Sequence, residues 1–305
     1  VTSNTVKVTT YDPTANKDVE IGDDIQGDTP ATINNQLVQV GTVLTYPLTV
    51  SDLPANRSDV IKSHENVDTL NDNLSYVSYK AWLPDANGKL QDVTSHVKLT
   101  RDGQKLAFTD DDYLIHLYNN TKSAAQKLPI IDLVAKVNAT GANNDGKTKV
   151  IPNHFDSTIT TNDNNTSTTS NTVVIISQNP QAIKDVELGG NVIGDTPASI
   201  TGTEIADGTI VTWPMSVGSL EANRAQKVMS HSEIENLDDN LTYISYKAWL
   251  PDANGKMQDV TDHVQVAVKG QQLTFTDDDY LLNLYNKDPK TAFKLPIIDL
   301  VTKVN

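Results

Sequence analysis

The feature that most constrains this chain is an internal duplication. Shifted by 167 residues, the sequence matches itself without a gap from Lys17-Asp18-Val19-Glu20 onto Lys184-Asp185-Val186-Glu187, and on to Lys136-Val137-Asn138 onto Lys303-Val304-Asn305. About 70 of the 122 paired positions are identical, so the chain holds tandem modules of one fold. The longest identical blocks run over residues 78–89 and 245–256, 108–114 and 275–281, and 127–134 and 294–301. Thr2-Ser3-Asn4-Thr5-Val6 matches Thr169-Ser170-Asn171-Thr172-Val173 at the same offset. The expected organisation is therefore a last strand of a preceding repeat over residues 1–10, a whole module over 11–177, and a C-terminally shortened module over 178–305.

Composition narrows the partners. With 39 acidic against 24 basic residues the chain carries a net charge of -15, and no Lys/Arg stripe is clustered enough to attract nucleic acid or an anionic membrane. Cysteine is absent, which removes disulfides, thiol nucleophiles and thiolate metal sites together. No apolar run approaches 18 residues, and Val1-Thr2-Ser3-Asn4 has no signal-peptide character, so no membrane contact is expected in this stretch.

Short β-branched and aromatic runs bounded by Gly, Asn, Asp and Pro predict strands over 40–50, 74–79, 98–100, 106–108, 130–137 and 172–176. The expected fold is all-β: tandem variant immunoglobulin-like β-sandwiches with short helical turns at 111–117 and 278–284. Residues 139–170, rich in Thr, Asn, Asp and Ser, read as a polar excursion holding one strand.

The chemistry lies in a lysine early in each module followed fifty-one residues later by an acid: Lys17 with Asp68, Lys184 with Glu235. With an asparagine near the module's end, such residues form an intramolecular isopeptide bond. The lysine must be desolvated into a neutral nucleophile, and the Asn carboxamide is the electrophile. The acid, protonated, polarises that carboxamide and shuttles protons as ammonia leaves. The competing reading is an exposed ion pair at a strand end.

The chain resembles the C-terminal modules of the streptococcal antigen I/II adhesins, the group related to the SspB-type isopeptide-forming adhesins. The resemblance runs over essentially the whole chain. It is carried by the Lys-Asp-Val opening, Ser51-Asp52-Leu53-Pro54-Ala55-Asn56-Arg57, the acid-x-Leu element at Asp68, Pro129-Ile130-Ile131-Asp132-Leu133-Val134, Ile151-Pro152-Asn153 and Ser170-Asn171-Thr172-Val173. It implies that Lys17 is the nucleophile, Asp68 the proton shuttle and Asn153 the acceptor. Asn138, which has a repeat partner in Asn305, is the alternative acceptor. In the second module Lys184 and Glu235 are present, and only Asn305 is available within the sequence.

The resemblance also implies attachment to a Gram-positive cell wall and host glycoproteins or extracellular matrix proteins as ligands. The alternative is a spacer of repeated modules with no ligand of its own. No Ser/His/Asp arrangement or metal-spaced His pair accompanies His64, His96, His231 or His263, so turnover of an external substrate is not expected. The crosslink requires no cofactor. Asp110, Asp111, Asp112 and their copies Asp277, Asp278, Asp279 point more weakly to Ca²⁺, as do Asp85-x-Asn87-Gly88 and Asp252-x-Asn254-Gly255, which are turn signatures first. Trp82 and Trp249 are expected to pack in the core or between modules.

Overall fold

The computed structural model describes residues 10–138, 148–178, 180 and 182–305. All but the end of the strand expected over residues 1–10 lies outside them. The chain divides into two compact units, with the boundary between Ser177 and Gln178.

Unit one begins with β1 (Ala15–Lys17), β2 (Glu20–Ile21), β3 (Gln36–Gln39), β4 (Val43–Val50), β5 (Ile61–Thr69) and β6 (Leu74–Pro84). There follow β7 (Leu90–Asp92), β8 (Val97–Asp102), β9 (Lys105–Asp110), α1 (Asp112–Asn120) and β10 (Ile130–Val137). The unit closes with β11 (Lys149–Asn153), β12 (Phe155–Thr161), β13 (Asn165–Thr169) and β14 (Val173–Gln178). One sheet runs β1-β4-β10-β6-β7 with β2 also on β4, a second runs β13-β12-β5-β9-β8, and a small third runs β11-β14-β3.

The pairings within the two larger sheets of this unit and of β11 with β14 are antiparallel, and strands of the second sheet alternate as half-buried strands do. On β12, Phe155, Ser157 and Ile159 point inward while Asp156 faces solvent. Leu44, Tyr46 and Leu48 of β4, Leu106 and Phe108 of β9, and Leu133 of β10 are at most 1% exposed. Burying side chains of this size contributes roughly 1.5–3 kcal/mol each before chain entropy is counted.

Two expectations are corrected here. The excursion contains three strands, β11, β12 and β13, because its threonines are β-branched and alternate with Phe155 and Ile159 along a pleat. The helical turn is a nine-residue helix, started by the Asp111 side chain, which accepts from the Tyr113 and Leu114 N–H groups.

Unit two repeats the plan with β15 (Ile183–Lys184), β16 (Glu187–Leu188), β17 (Ile210–Ser216), β18 (Ser219–Leu220), β19 (Ser232–Asn236) and β20 (Leu241–Pro251). After these come β21 (Met257–Asp259), β22 (Val264–Lys269), β23 (Gln272–Asp277), α2 (Asp279–Asn286), β24 (Phe293–Lys294) and β25 (Ile297–Val304). Its first sheet, β15-β17-β25-β20-β21, copies that of unit one, but its second holds three strands, β19-β23-β22. Among the described residues β19 is thus an edge strand, where its counterpart β5 is flanked on both sides.

Candidate crosslinking site

Lys17 ends β1, an edge strand paired to β4 through Lys17 and Leu48. Its other edge is held by one side chain: the Lys17 N–H donates to Asn171 Oδ1 at 2.8 Å, and Asn171 Nδ2 donates to the Lys17 carbonyl at 2.9 Å. Asn171 thereby stands in for a neighbouring strand. The lysine side chain runs into the interior, 1% exposed over the whole residue.

There the ammonium nitrogen bonds Asp68 Oδ2, with both side chains fully shielded from solvent. Asp68 lies on β5 between Leu106 of β9 and Phe155 of β12. Two residues ahead of Phe155, Asn153 ends β11 and pairs with Val173, itself two residues beyond Asn171. Asp68 and Lys17 are thus each linked to the vicinity of Asn153, and the sheet topology draws all three into one end of the sandwich.

The polar inventory of this pocket is incomplete in an informative way. Asn153 is 2% exposed, yet among the described residues neither atom of its carboxamide has a hydrogen-bond partner, and Asp68 Oδ1 has none either. Buried amides are almost always paired, and leaving one unpaired costs about 1–3 kcal/mol. Tyr46 walls the pocket, its ring centroid 4.9 Å from Lys17 Nζ and its hydroxyl buried without a partner. Burial pushes the Lys17 amine below its ordinary value, against the opposing charge and hydrogen bond of Asp68. Burial, reinforced by the Asp68 charge, pushes the Tyr46 phenol well up. A lysine moved toward neutrality, an adjacent carboxyl and an unengaged carboxamide are the ingredients for amide exchange.

Asn138 and Asn305 lie elsewhere. Lys17 faces Leu48, which faces Ile131, and Asn138 is seven residues further along, roughly 24 Å at ~3.4 Å per residue. There its Nδ2 donates to Ser75 Oγ at 2.8 Å. Asn305 occupies the same place in unit two, accepting from Thr242 Oγ1 at 2.7 Å. Both cap the opposite end of their sheets.

In unit two Lys184 Nζ meets Glu235 Oε1 at 2.8 Å, but their side chains remain 35% and 15% exposed. Trp213 replaces Tyr46, its ring 4.5 Å from the ammonium. No asparagine reaches this pair among the described residues.

The acidic runs serve the scaffold. Asp110 Oδ2 receives the Tyr118 hydroxyl and sits 2.8 Å from His64 Nδ1, while Asp111 caps α1 and lies 2.9 Å from His96 Nδ1. Asp277 and Asp278 repeat this with Tyr285, His231, α2 and His263. Asp112 and Asp279 open the two helices, where negative charge suits the helix dipole. Asp85 and Asp252 accept backbone N–H groups two and four residues on, as turn residues do. Trp82 is 7% exposed and donates to Asp132 Oδ2. Among the described residues, the acidic trio whose oxygens lie within 4.8 Å of one another is a different one, Asp18, Glu20 and Asp28. There Glu20 is already engaged by both donors of Thr29.

Tandem all-β sandwiches, each with a Lys–acid pair bridging an edge strand of one sheet to the facing sheet, define the class. Its fold is that of antigen I/II C-terminal regions. Over 95% of this chain and 91% of the other, it matches the Streptococcus agalactiae AgI/II polypeptide BspA C-terminal domain at TM-score 0.66 and 17% identity. The C-terminal domain of the Streptococcus pyogenes antigen I/II-family protein AspA matches over the same shares at TM-score 0.65 and 18% identity. No protein-family model and no curated protein matches the sequence.

Proposed function

We propose that this chain is a stretch of a Gram-positive cell-surface adhesin whose first module closes itself with a Lys17–Asn153 isopeptide bond. The unpaired Asn153 carboxamide, buried in the same end of the sandwich as the shielded Lys17–Asp68 pair, carries the reading. In the reaction Lys17 Nζ, as the neutral amine, attacks the Asn153 side-chain carbonyl carbon. Asp68, protonated, polarises the carbonyl and relays the proton that leaves with ammonia; one C–N bond forms as another breaks. The event is a single self-reaction, not turnover.

The proposed place of the protein is outside the cell, anchored to the wall, where a covalent tie substitutes for the missing cysteines. Its proposed ligands are host glycoproteins or matrix proteins; fold similarity carries no ligand with it. The likeness of the two modules, identical at about 70 of 122 paired positions, favours a second reading, a spacer that holds a binding domain away from the surface. Purified protein titrated onto immobilised mucin and matrix proteins separates them: saturable binding supports adhesion by these modules, and none supports the spacer. The crosslink itself is tested by intact mass, since bond formation releases one ammonia, about 17 Da.

A further inference from the structure

We infer that the Tyr46 hydroxyl is a further catalytic group of the crosslinking reaction, donating a hydrogen bond to the Asn153 side-chain carbonyl oxygen as negative charge gathers there. The inference deepens the Lys17–Asn153 reading and rests on it.

Strand register brings Tyr46 to the reacting atoms. Lys17 of β1 faces Leu48 of β4. Tyr46 lies two residues earlier on β4 and so shares the inward face of Leu48, and both are at most 1% exposed. The ring centroid stands 4.9 Å from Lys17 Nζ, and the charge of Asp68 acts on the phenol. The side chain thus touches the nucleophile and lies within the field of the carboxyl that serves it.

The hydroxyl has no work in the resting fold. Among the described residues Tyr46 Oη, Asp68 Oδ1 and both atoms of the Asn153 carboxamide are buried without a hydrogen bond. Buried polar groups are nearly always paired, so a cluster of orphans at one end of a sandwich calls for a reason. Their needs are complementary: a phenol offers a proton, and the carboxamide oxygen lacks a donor. Burial and the Asp68 charge drive the phenol well up. It therefore keeps its proton and acts as a donor only.

Such a donor answers a difficulty in the reaction. Lys17 Nζ, as the neutral amine, adds to the Asn153 carbonyl carbon, and the C=O electron pair moves onto oxygen. Asp68 then passes its proton to the departing nitrogen and takes one from Lys17. At that moment Asp68 no longer serves the oxygen, which is at its most negative. Tyr46 holds the oxygen by a hydrogen bond without giving up its proton. The C=O bond re-forms, the bond to the amide nitrogen breaks, and ammonia leaves.

Unit two has the aromatic wall without the free donor. Trp213 stands in place of Tyr46 with its ring 4.5 Å from Lys184 Nζ, but its indole N–H donates to Thr302 Oγ1 at 2.8 Å. The unit-one residue at the place of Thr302 is Ala135, whose methyl group accepts nothing. The uncommitted donor accompanies the sealed lysine and acid of unit one.

The test follows the full chain after cell-free synthesis, quenched at intervals and read by intact mass. Tyr46→Phe keeps the ring, removes the hydroxyl and should lose ammonia about 100-fold more slowly than wild type, the scale of losing one oxyanion donor. Fold integrity is read separately in Asn153→Ala, which forms no bond. Adding Tyr46→Phe there should leave the denaturant midpoint unchanged or raised, since the resting hydroxyl has no partner to lose. Closure of Tyr46→Phe at the wild-type rate, or slowing matched by a lower midpoint in the Asn153→Ala background, overturns the role of Tyr46 while the bond itself stands. A wild-type chain that never loses ammonia removes the crosslink reading and this inference with it.

Discussion

Lys17 and Asp68 meet with both side chains fully shielded, whereas Lys184 and Glu235, at the same places in the repeat, meet partly in solvent. Shielding decides what each pair can do. An exposed ion pair is worth about 0–1 kcal/mol. A sealed one lets burial act on the amine, which is what a nucleophile requires. The difference accompanies the strands that close unit one, β11 to β14.

Replacing the acceptor separates the bond from the ion pair. Asn153→Ala leaves Lys17 and Asp68 in place but prevents closure of a loop of some 136 residues. By the chain-entropy account, such a closure contributes about 5 kcal/mol. The variant should unfold at markedly lower denaturant than the crosslinked chain; coincident unfolding curves would contradict the crosslink's proposed contribution.

Asn171 is expected to position Lys17 rather than react. Asn171→Ala removes both hydrogen bonds to the Lys17 backbone, a stability loss of about 1–3 kcal/mol. The fraction of chains lacking one ammonia should rise more slowly after synthesis, and Asn171→Asp, which keeps the acceptor, should restore part of that rate. Unchanged kinetics in the Ala variant would remove the role.

A pH dependence follows from two buried carboxyls. Asp132 and Asp299 are 1% exposed, and burial raises each to about 6, against hydrogen bonds from Gly27 and Trp82 in one unit and from Gly194 in the other. Because the folded value lies above the unfolded one, their stabilisation is complete below about pH 4 and is lost as pH rises through about 6. Asp132→Asn does not titrate, so denaturant midpoints should move in the variant's favour, relative to wild type, between pH 4 and 7. A pH-independent difference would contradict this.

The aspartate runs are expected to act as caps. Asp111→Ala should cost about 1 kcal/mol, equally with EDTA or millimolar Ca²⁺. A cost that appears only with Ca²⁺ would restore the metal reading.

Much of this was legible in the sequence because the repeat aligns chemistry with itself: Lys17 recurs as Lys184 in an identical block, and Asp68 is matched by another acid, Glu235, while Glu65, Asn66 and Thr69 beside it change. Strand-rich architecture followed from the β-branched runs. β5 was harder, since His64, Glu65, Asn66 and Asp68 make a core-facing strand look like a polar loop; the burial of His64 and Asp68 is supported by pairing with Asp110, Ser157 and Lys17. Tyr46 and Asn171 left no chemical signature, because their roles depend on which strands face each other. Asn138 and Asn305 were attractive for their repeat symmetry, but strand register sets them at the far end of the sheet.

The most direct test is the intact mass of the purified chain under denaturing conditions, with fragment mapping. The account predicts a mass one ammonia, about 17 Da, below that of the sequence, with Lys17 and Asn153 in one branched fragment and full mass restored by Lys17→Ala or Asp68→Ala. A wild-type chain at full mass, or a branch at Asn138, would contradict it.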